Sequence, residues 1–384
     1  MNLVIVGGGH ASLPLLRHAR AHVEAGVSVT LVSDRPELWY SGMVPEWLGG
    51  IYTTRDVTVP LAPICEREGV EFVQARAEAL DLEGRAVVLE DGRRVDYDVM
   101  VVDVGSVNPG RGAAGSAIRA KPLWRIEKLG AFLEVASGGR RKLVVVGGGA
   151  AGTECALNIT ARPGLDGLEV VVVEPGDRLC PRLPDRLGTW AASTLRDRGA
   201  TIEFGARAES VQDGTVVLED GRRLEADAVL WATGSVGHPM LRDAGLEVTD
   251  RGFARVDPGL RSSDARVFVA GDSATINGLE DLPKIGVHAV KHGPTLRENV
   301  SQTLATLARG DDPVRATLAP FRPYPVAPLM LSTGTDQAWW TAGPVALRGR
   351  PALRLKHAID RRWIDEYRDG ASYDGRWDAL APRS

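Results

Sequence analysis

At 384 residues the chain is long enough for two or three domains with developed cores, and its 44% apolar and 25% charged fractions are those of a soluble globular protein. A formal net charge of −4 gives no basis for nucleic-acid binding, and three scattered cysteines give no disulfide framework. No apolar run reaches the roughly 18 residues of a membrane span, and "MNLVIVGGGH" lacks the basic segment of a signal peptide, so a reducing, cytoplasmic setting is expected.

The first predicted element is a strand over 2–6, "NLVIV", which stops at "GGG". "SLPLLRHARAH" follows with helical spacing, and "SVTLV" at 28–32 makes a second strand. Strand, glycine turn, helix, strand is the dinucleotide-binding unit. This copy carries Gly7 and Gly9, but Ser12 stands where the third glycine belongs, and Ser33 stands at the usual acid position with Asp34 next to it.

Further along, "VVLEDGRRVDYDVMVVDVGS" at 87–106 recurs as "VVLEDGRRLEADAVLWATGS" at 216–235, with 11 of 20 positions identical. Each copy reads as a hairpin turning at Asp-Gly, then a buried strand ending in glycine. Between the copies lies a complete fingerprint. "KLVVV" precedes Gly147, Gly149 and Gly152 at G-x-G-x-x-G spacing, a helix is expected from about Ala151, and the next strand ends on Glu174. The repeat therefore marks two dinucleotide-binding units in tandem.

The ordered set "VIVGGGHAS", "VVVGGGAAGTE", "LWATGS" and "RVFVAGDSA" resembles the two-dinucleotide flavoproteins of the pyridine nucleotide–disulfide oxidoreductase superfamily over roughly residues 1–310. The resemblance implies an α/β fold of two Rossmann-like domains, the second inserted in the first, followed by a small C-terminal α+β region. The boundaries expected are 1–115 with 251–318 for FAD, 116–250 for NAD(H), and 319–384 for the C-terminal region. It implies FAD contacts at Gly7, Gly9, His10, Ala11, Ser33, Asp34, Arg35, Ser41, Gly42, Ala77, Gly105, Ser106, Gly271, Asp272, Lys284, Gly286 and Val287. Among these, Asp272 is expected on the ribityl chain. NAD contacts are implied at Gly147, Gly149, Ala150, Ala151, Gly152, Glu174, Thr233 and Gly234, and Glu174 should favour NADH by repelling a 2′-phosphate.

Where disulfide reductases carry a C-x4-C pair, this chain reads "PELWYSGMVPEWLGG" at 36–50, so no thiol relay is expected there. That stretch is similar to type II NADH dehydrogenases and to their relatives associated with selenophosphate synthetase. Glu154 matches the glutamate such enzymes place beside the nicotinamide, and Lys284 matches a lysine near the flavin that would stabilise its reduced anion. These two are the expected catalytic residues. Lys291 and His292 replace a glutamine pair that helps line the quinone site of type II enzymes, a departure from that pattern.

After the proline-rich connector "APFRPYPVAPL" comes "PALRLKHAIDRRWIDEYR" at 351–368, with Leu355, Ile359 and Trp363 at i, i+4, i+8 and several basic residues between them. Two readings of it stand: a membrane-surface helix, or a helix docked on the body or on a second copy in a homodimer. The expected activity is hydride transfer from NADH to FAD, then electron transfer to a quinone or other small acceptor. The alternatives are a soluble reductase of a small electron-transfer protein and a regulatory flavin- and NADH-binding partner with little turnover.

Overall fold

The computed structural model describes residues 1–109 and 115–368; residues 110–114, at the expected first domain junction, and 369–384 lie outside the described residues. Five parallel strands form the first sheet in the order Val267–Val269, Val99–Val102, Asn2–Val6, Ser28–Ser33, Glu71–Gln74. Its central strands are continuous apolar runs because both faces are covered, as parallel sheets require. A second five-stranded parallel sheet repeats this plan in the order Ile118–Arg119, Ala228–Trp231, Arg141–Val146, Leu168–Glu174, Thr201–Phe204. In both sheets the glycine turn leaves the carboxyl end of the central strand, where open α/β sheets bind ligands.

The repeated cassette folds the same way twice. Ala86–Leu89 pairs with Arg94–Asp96, and Thr215–Leu218 pairs with Arg223–Glu225, each around the expected Asp-Gly turn. In each turn the aspartate accepts from the amide two residues on, Asp91 from Arg93 and Asp220 from Arg222, both at 3.0 Å. The two cassettes also meet each other: Ser106–Val107 and Val236–Gly237 pair antiparallel as a short ribbon joining the units.

Two expectations need correction. The first helix is broken into Leu13–Leu16 and Arg20–Glu24. The His18 ring takes the Pro14 carbonyl at 2.9 Å, which a continuing helix would have offered to the His18 amide, and that amide turns to Leu15 instead. The second unit behaves as expected, with a helix over Ala150–Ile159.

The C-terminal region is a three-stranded antiparallel sheet, Leu329–Ser332, Ala338–Ala342 and Val345–Gly349, followed by the helix Arg350–Arg368. That helix lies on the body, and its buried face shares only Trp363 with the expected stripe. Lys356, Asp360, Trp363, Ile364 and Tyr367 are buried, whereas Leu355 is 43% exposed and Ile359 half-buried. The face is rotated because a buried ion cluster joins the aromatic contacts in fixing the dock. Among the described residues no helix is long and apolar enough to cross a membrane.

Candidate functional site

At the first turn, Gly7 adopts φ +92°, and a Cβ there would fall 2.6 Å from the Asp103 carbonyl oxygen. Ser12, in place of the third glycine, turns its hydroxyl back onto the Gly7 and Gly9 carbonyls at 3.1 and 3.0 Å. The amides of Ala11 and Ser12 donate to the Asp103 carboxylate at 2.9 Å each. Burial pushes that carboxyl up to about 6 even against these amides. At the next strand end Ser33 is tied to the Arg35 backbone and Asp34 is exposed. Arg35 pairs with Glu127 at 2.9 Å and lies over the Trp124 ring. Ala77 starts the hairpin strand opposite Leu89.

The remaining flavin-expected segments converge beside this turn. Ser273 donates to the Gly105 carbonyl at 2.9 Å, and Ser106 donates to Asp272 at 3.4 Å. A Cβ on Gly286 would come within 2.9 Å of the Ser41 hydroxyl, so 41–42 and 286–287 also adjoin. Lys121, which sequence reasoning missed, forms an ion pair with Asp272 and donates to Ser106 at 3.0 Å. Burial raises the Asp272 carboxyl, but Lys121 and Lys284 more than offset this and hold it below the usual range.

Lys284 is turned inward, donating to the Ala274 carbonyl and to Thr275 Oγ1. Burial pulls its ammonium down to about 8. His292 accepts from the Gly271 amide at 3.0 Å and is neutral, since burial drives it to about 3, while Lys291 sits over the Tyr324 ring. His10 is held neutral in the same way, at about 4, and stacks on Trp363 of the C-terminal helix.

In the second turn, Gly147 has φ +111°, and a Cβ on Gly152 would fall 2.0 Å from the Gly147 carbonyl, so the helix can start only with glycine there. Gly149 caps that helix, which opens with Ala150 and Ala151. Glu174 accepts from the Gly148 and Gly176 amides at 2.9 Å each, anchoring its carboxylate beside the turn. The carbonyls of Thr233 and Gly234 accept from Asn108, next to the ribbon. Both turns fit a dinucleotide. Each offers backbone that no side chain could replace, and each leaves a buried polar atom without a protein partner, His10 Nε2 at the first and Thr233 Oγ1 at the second.

Glu154 lies where three regions meet. Its carboxylate accepts from the Ser332 amide at 2.8 Å, and Asn158 holds the Ser332 hydroxyl at 2.8 Å. Burial lifts Glu154 to about 7, with Lys356 acting against the rise. Lys356 donates to the Gly42 carbonyl at 2.6 Å, to Glu46 at 2.6 Å and to Asp360 at 2.7 Å. Burial lowers its affinity for the proton, but the facing carboxylates outweigh that and hold it well above the usual lysine range. Tyr40 bonds Asp360 at 3.1 Å and stacks on Trp363, and His357 bonds Glu46 at 2.6 Å. Sequence reasoning missed Glu46, Lys356 and Asp360. The one local signal was a Lys–Asp pair at i, i+4 on the face that also holds Trp363 and Tyr367.

The three cysteines are buried and unpaired. Burial pushes Cys65 and Cys180 to about 11 and Cys155 to about 12, so none carries a thiolate near neutral pH. No metal-ligating cluster occurs among the described residues.

Comparison with known proteins agrees with this geometry. The family model for pyridine nucleotide-disulphide oxidoreductases matches residues 1–293. The chain is similar to the demethylphylloquinone reductase NdbB of Synechocystis sp., 23% identical over 378 residues, covering 93% of this chain and 90% of that one. It is also similar to the type II NADH:quinone oxidoreductase of Staphylococcus aureus, 25% identical over 335 residues and covering 79% and 82% of the two chains. In fold it is similar to NDH2 of Plasmodium falciparum in complex with NADH, with a TM-score of 0.77 at 12% identity over 98% of this chain and 99% of that one. The chain therefore belongs to the pyridine nucleotide-disulphide oxidoreductase family, and with that membership come the cofactors FAD and NADH.

Proposed function

We propose that the chain is an NADH:quinone-type oxidoreductase working without a redox disulfide, with FAD on the first unit (1–115 and 251–318) and NADH on the second (116–250). The overall reaction is NADH + H⁺ + quinone → NAD⁺ + quinol. Bound FAD supplies the two-electron relay between the two substrates. The observation that carries this reading is Glu154, a half-buried carboxyl lifted to about 7 between the NAD-side glycine turn and the C-terminal sheet. It can hold and release the proton that quinol formation consumes, near the operating pH.

The other residues bind and position. Gly7, Gly9, Ala11 and Gly271 bring backbone to FAD, Asp272 and Lys121 hold its polyol chain, and Lys284 places a cation at the site. Glu174 faces the adenosine ribose of NADH and opposes a 2′-phosphate. The deep thiols Cys65, Cys155 and Cys180 take no part, which separates this chain from thiol-relay chemistry.

A lipid quinone must be met at a bilayer. Val345 and Leu347, alternate residues of the last strand, are 49% and 59% exposed, and on the helix that follows Leu355 is 43% exposed next to the exposed Arg354. This outward surface, rather than the buried side of the helix, suits peripheral contact with anionic lipid. The docked helix also favours a second reading, in which this surface meets another copy of the chain and the acceptor is a soluble electron-transfer protein.

A steady-state screen of NADH with lipid quinone, ferricyanide and oxygen decides between these readings, together with flotation on anionic vesicles. Quinone turnover with salt-sensitive flotation supports the first. Ferricyanide turnover without quinone turnover or flotation overturns it.

A further inference from the structure

The duplicated cassette contains its own control. Position 103 directly follows the core strand of the first unit, and position 232 directly follows that of the second. In both, the backbone carbonyl backs the first glycine, with Cβ positions on Gly7 and Gly147 lying 2.6 and 2.9 Å from the oxygens of residues 103 and 232.

The side chains differ. Ala232 offers only a methyl group beside Gly152, and the helix start there has no side-chain cap. Asp103, 4% exposed, sends a carboxylate into the turn. One oxygen takes both the Ala11 and Ser12 amides, and the other lies 2.4 Å from where a Gly271 Cβ would be. The carboxylate thus sits between the glycine turn and the Gly271–Asp272 motif, the two segments that meet at this site.

We infer that FAD binding to the first unit is coupled to uptake of one proton by the Asp103 carboxylate. The inference rests on the reading that the first unit holds FAD. A diphosphate at a glycine turn takes its hydrogen bonds from such amides, so an ionised Asp103 competes for the same donors and repels the ligand. Protonation removes that charge and turns the competing acceptor into an O–H donor. The balance is ionised apoprotein plus FAD plus H⁺ giving a complex with a neutral Asp103.

The surroundings leave most of this proton to Asp103. Asp272 faces it as a carboxylate already paired with Lys121, Lys284, held at about 8, is already mostly protonated at pH 7.5 and adds only a fraction, and His10 and His292 are neutral. Burial and Asp272 raise Asp103 to about 6, so the free protein carries it mostly ionised at pH 7 and above.

Calorimetric titration of apoprotein with FAD, in buffers of different ionisation enthalpy, counts the protons directly. Uptake approaching one proton per FAD is expected at pH 7.5, shrinking below pH 6. Affinity should fall by up to about tenfold per pH unit between 6.5 and 7.5. Asp103→Asn should remove most of the uptake, flatten most of the profile and bind FAD about tenfold or more tighter than wild type at pH 7.5. FAD binding by the wild type without proton uptake overturns the inference even where the variant does not fold, and so does undiminished uptake in a folded Asp103→Asn protein. A chain that binds no FAD at any pH overturns the flavin reading with it.

Discussion

Removing the Lys356 ammonium should undock the C-terminal helix. Lys356→Met keeps the length of the side chain but leaves Glu46, fully buried, and Asp360, nearly so, facing each other without their shared cation. Breaking a buried pair by deleting one partner costs about 3–5 kcal/mol. His357 still bonds Glu46, which places the expectation in the lower half of that range. At about 1.4 kcal/mol per decade this is roughly a 100- to 1000-fold increase in the population of the open helix.

Amide exchange over Arg350–Arg368 reads this directly, as a matching loss of protection. The pH dependence differs between the two proteins, because in the wild type Glu46 is held low while burial raises Asp360, and the two contributions oppose each other. In the wild type, burial raises Glu46 but His357 and Lys356 outweigh it and hold it low. Its contribution is therefore present above the ordinary carboxylate range and lost as pH falls through the lower folded value. In the variant the orphaned carboxyls have raised folded values, so docking improves as pH falls from 8 toward 5.5. Protection within about threefold of wild type at pH 7 would refute the argument that this cluster holds the helix.

Glu154→Gln should remove an inflection near pH 7 from acceptor reduction, which in the wild type declines as pH rises and Glu154 loses its proton; an unchanged profile places the proton source elsewhere. Glu174→Arg should lower the preference for NADH over NADPH tenfold or more in anaerobic flavin bleaching, since facing like charges cost on the order of several kcal/mol; a wild type that prefers NADPH contradicts the assignment. Replacing Cys65, Cys155 and Cys180 together with alanine should leave turnover within a few-fold of wild type, and stalled turnover with a reducible flavin would reveal a thiol step.

What could be read in advance was whatever the chain encodes locally. Apolar runs ending in glycine, the Asp-Gly hairpins and the 129-residue recurrence locate both sheets and both turns, because each depends on neighbours a few residues apart. Ser12 was legible as a departure, but its compensation through the Gly7 and Gly9 carbonyls was not. The break after Leu16 turns on where the His18 ring points, which no periodicity reports. Asp103 was hidden at the end of an apolar strand pattern, although alignment with Ala232 in the repeat shows a charged residue in one copy against a methyl group in the other. The cluster at Lys356 lay furthest out of reach. Its partners Gly42 and Glu46 are 314 and 310 residues away, and a stripe of Leu355, Ile359 and Trp363 gave a simpler face that meets the buried one only at Trp363.

The ribbon between Ser106–Val107 and Val236–Gly237 has a mechanical meaning. It ties the two sheets through two residues of backbone pairing on each side, reinforced where Asn108 reaches across to Thr233 and Gly234. Away from it, Arg35 pairs with Glu127, Lys121 with Asp272, and Arg162 donates to the Leu48 carbonyl, so the same two units are held at several separated points. A joint fixed at several points resists rotation as well as sliding, and labels placed on the two sheets should report a single rigid body.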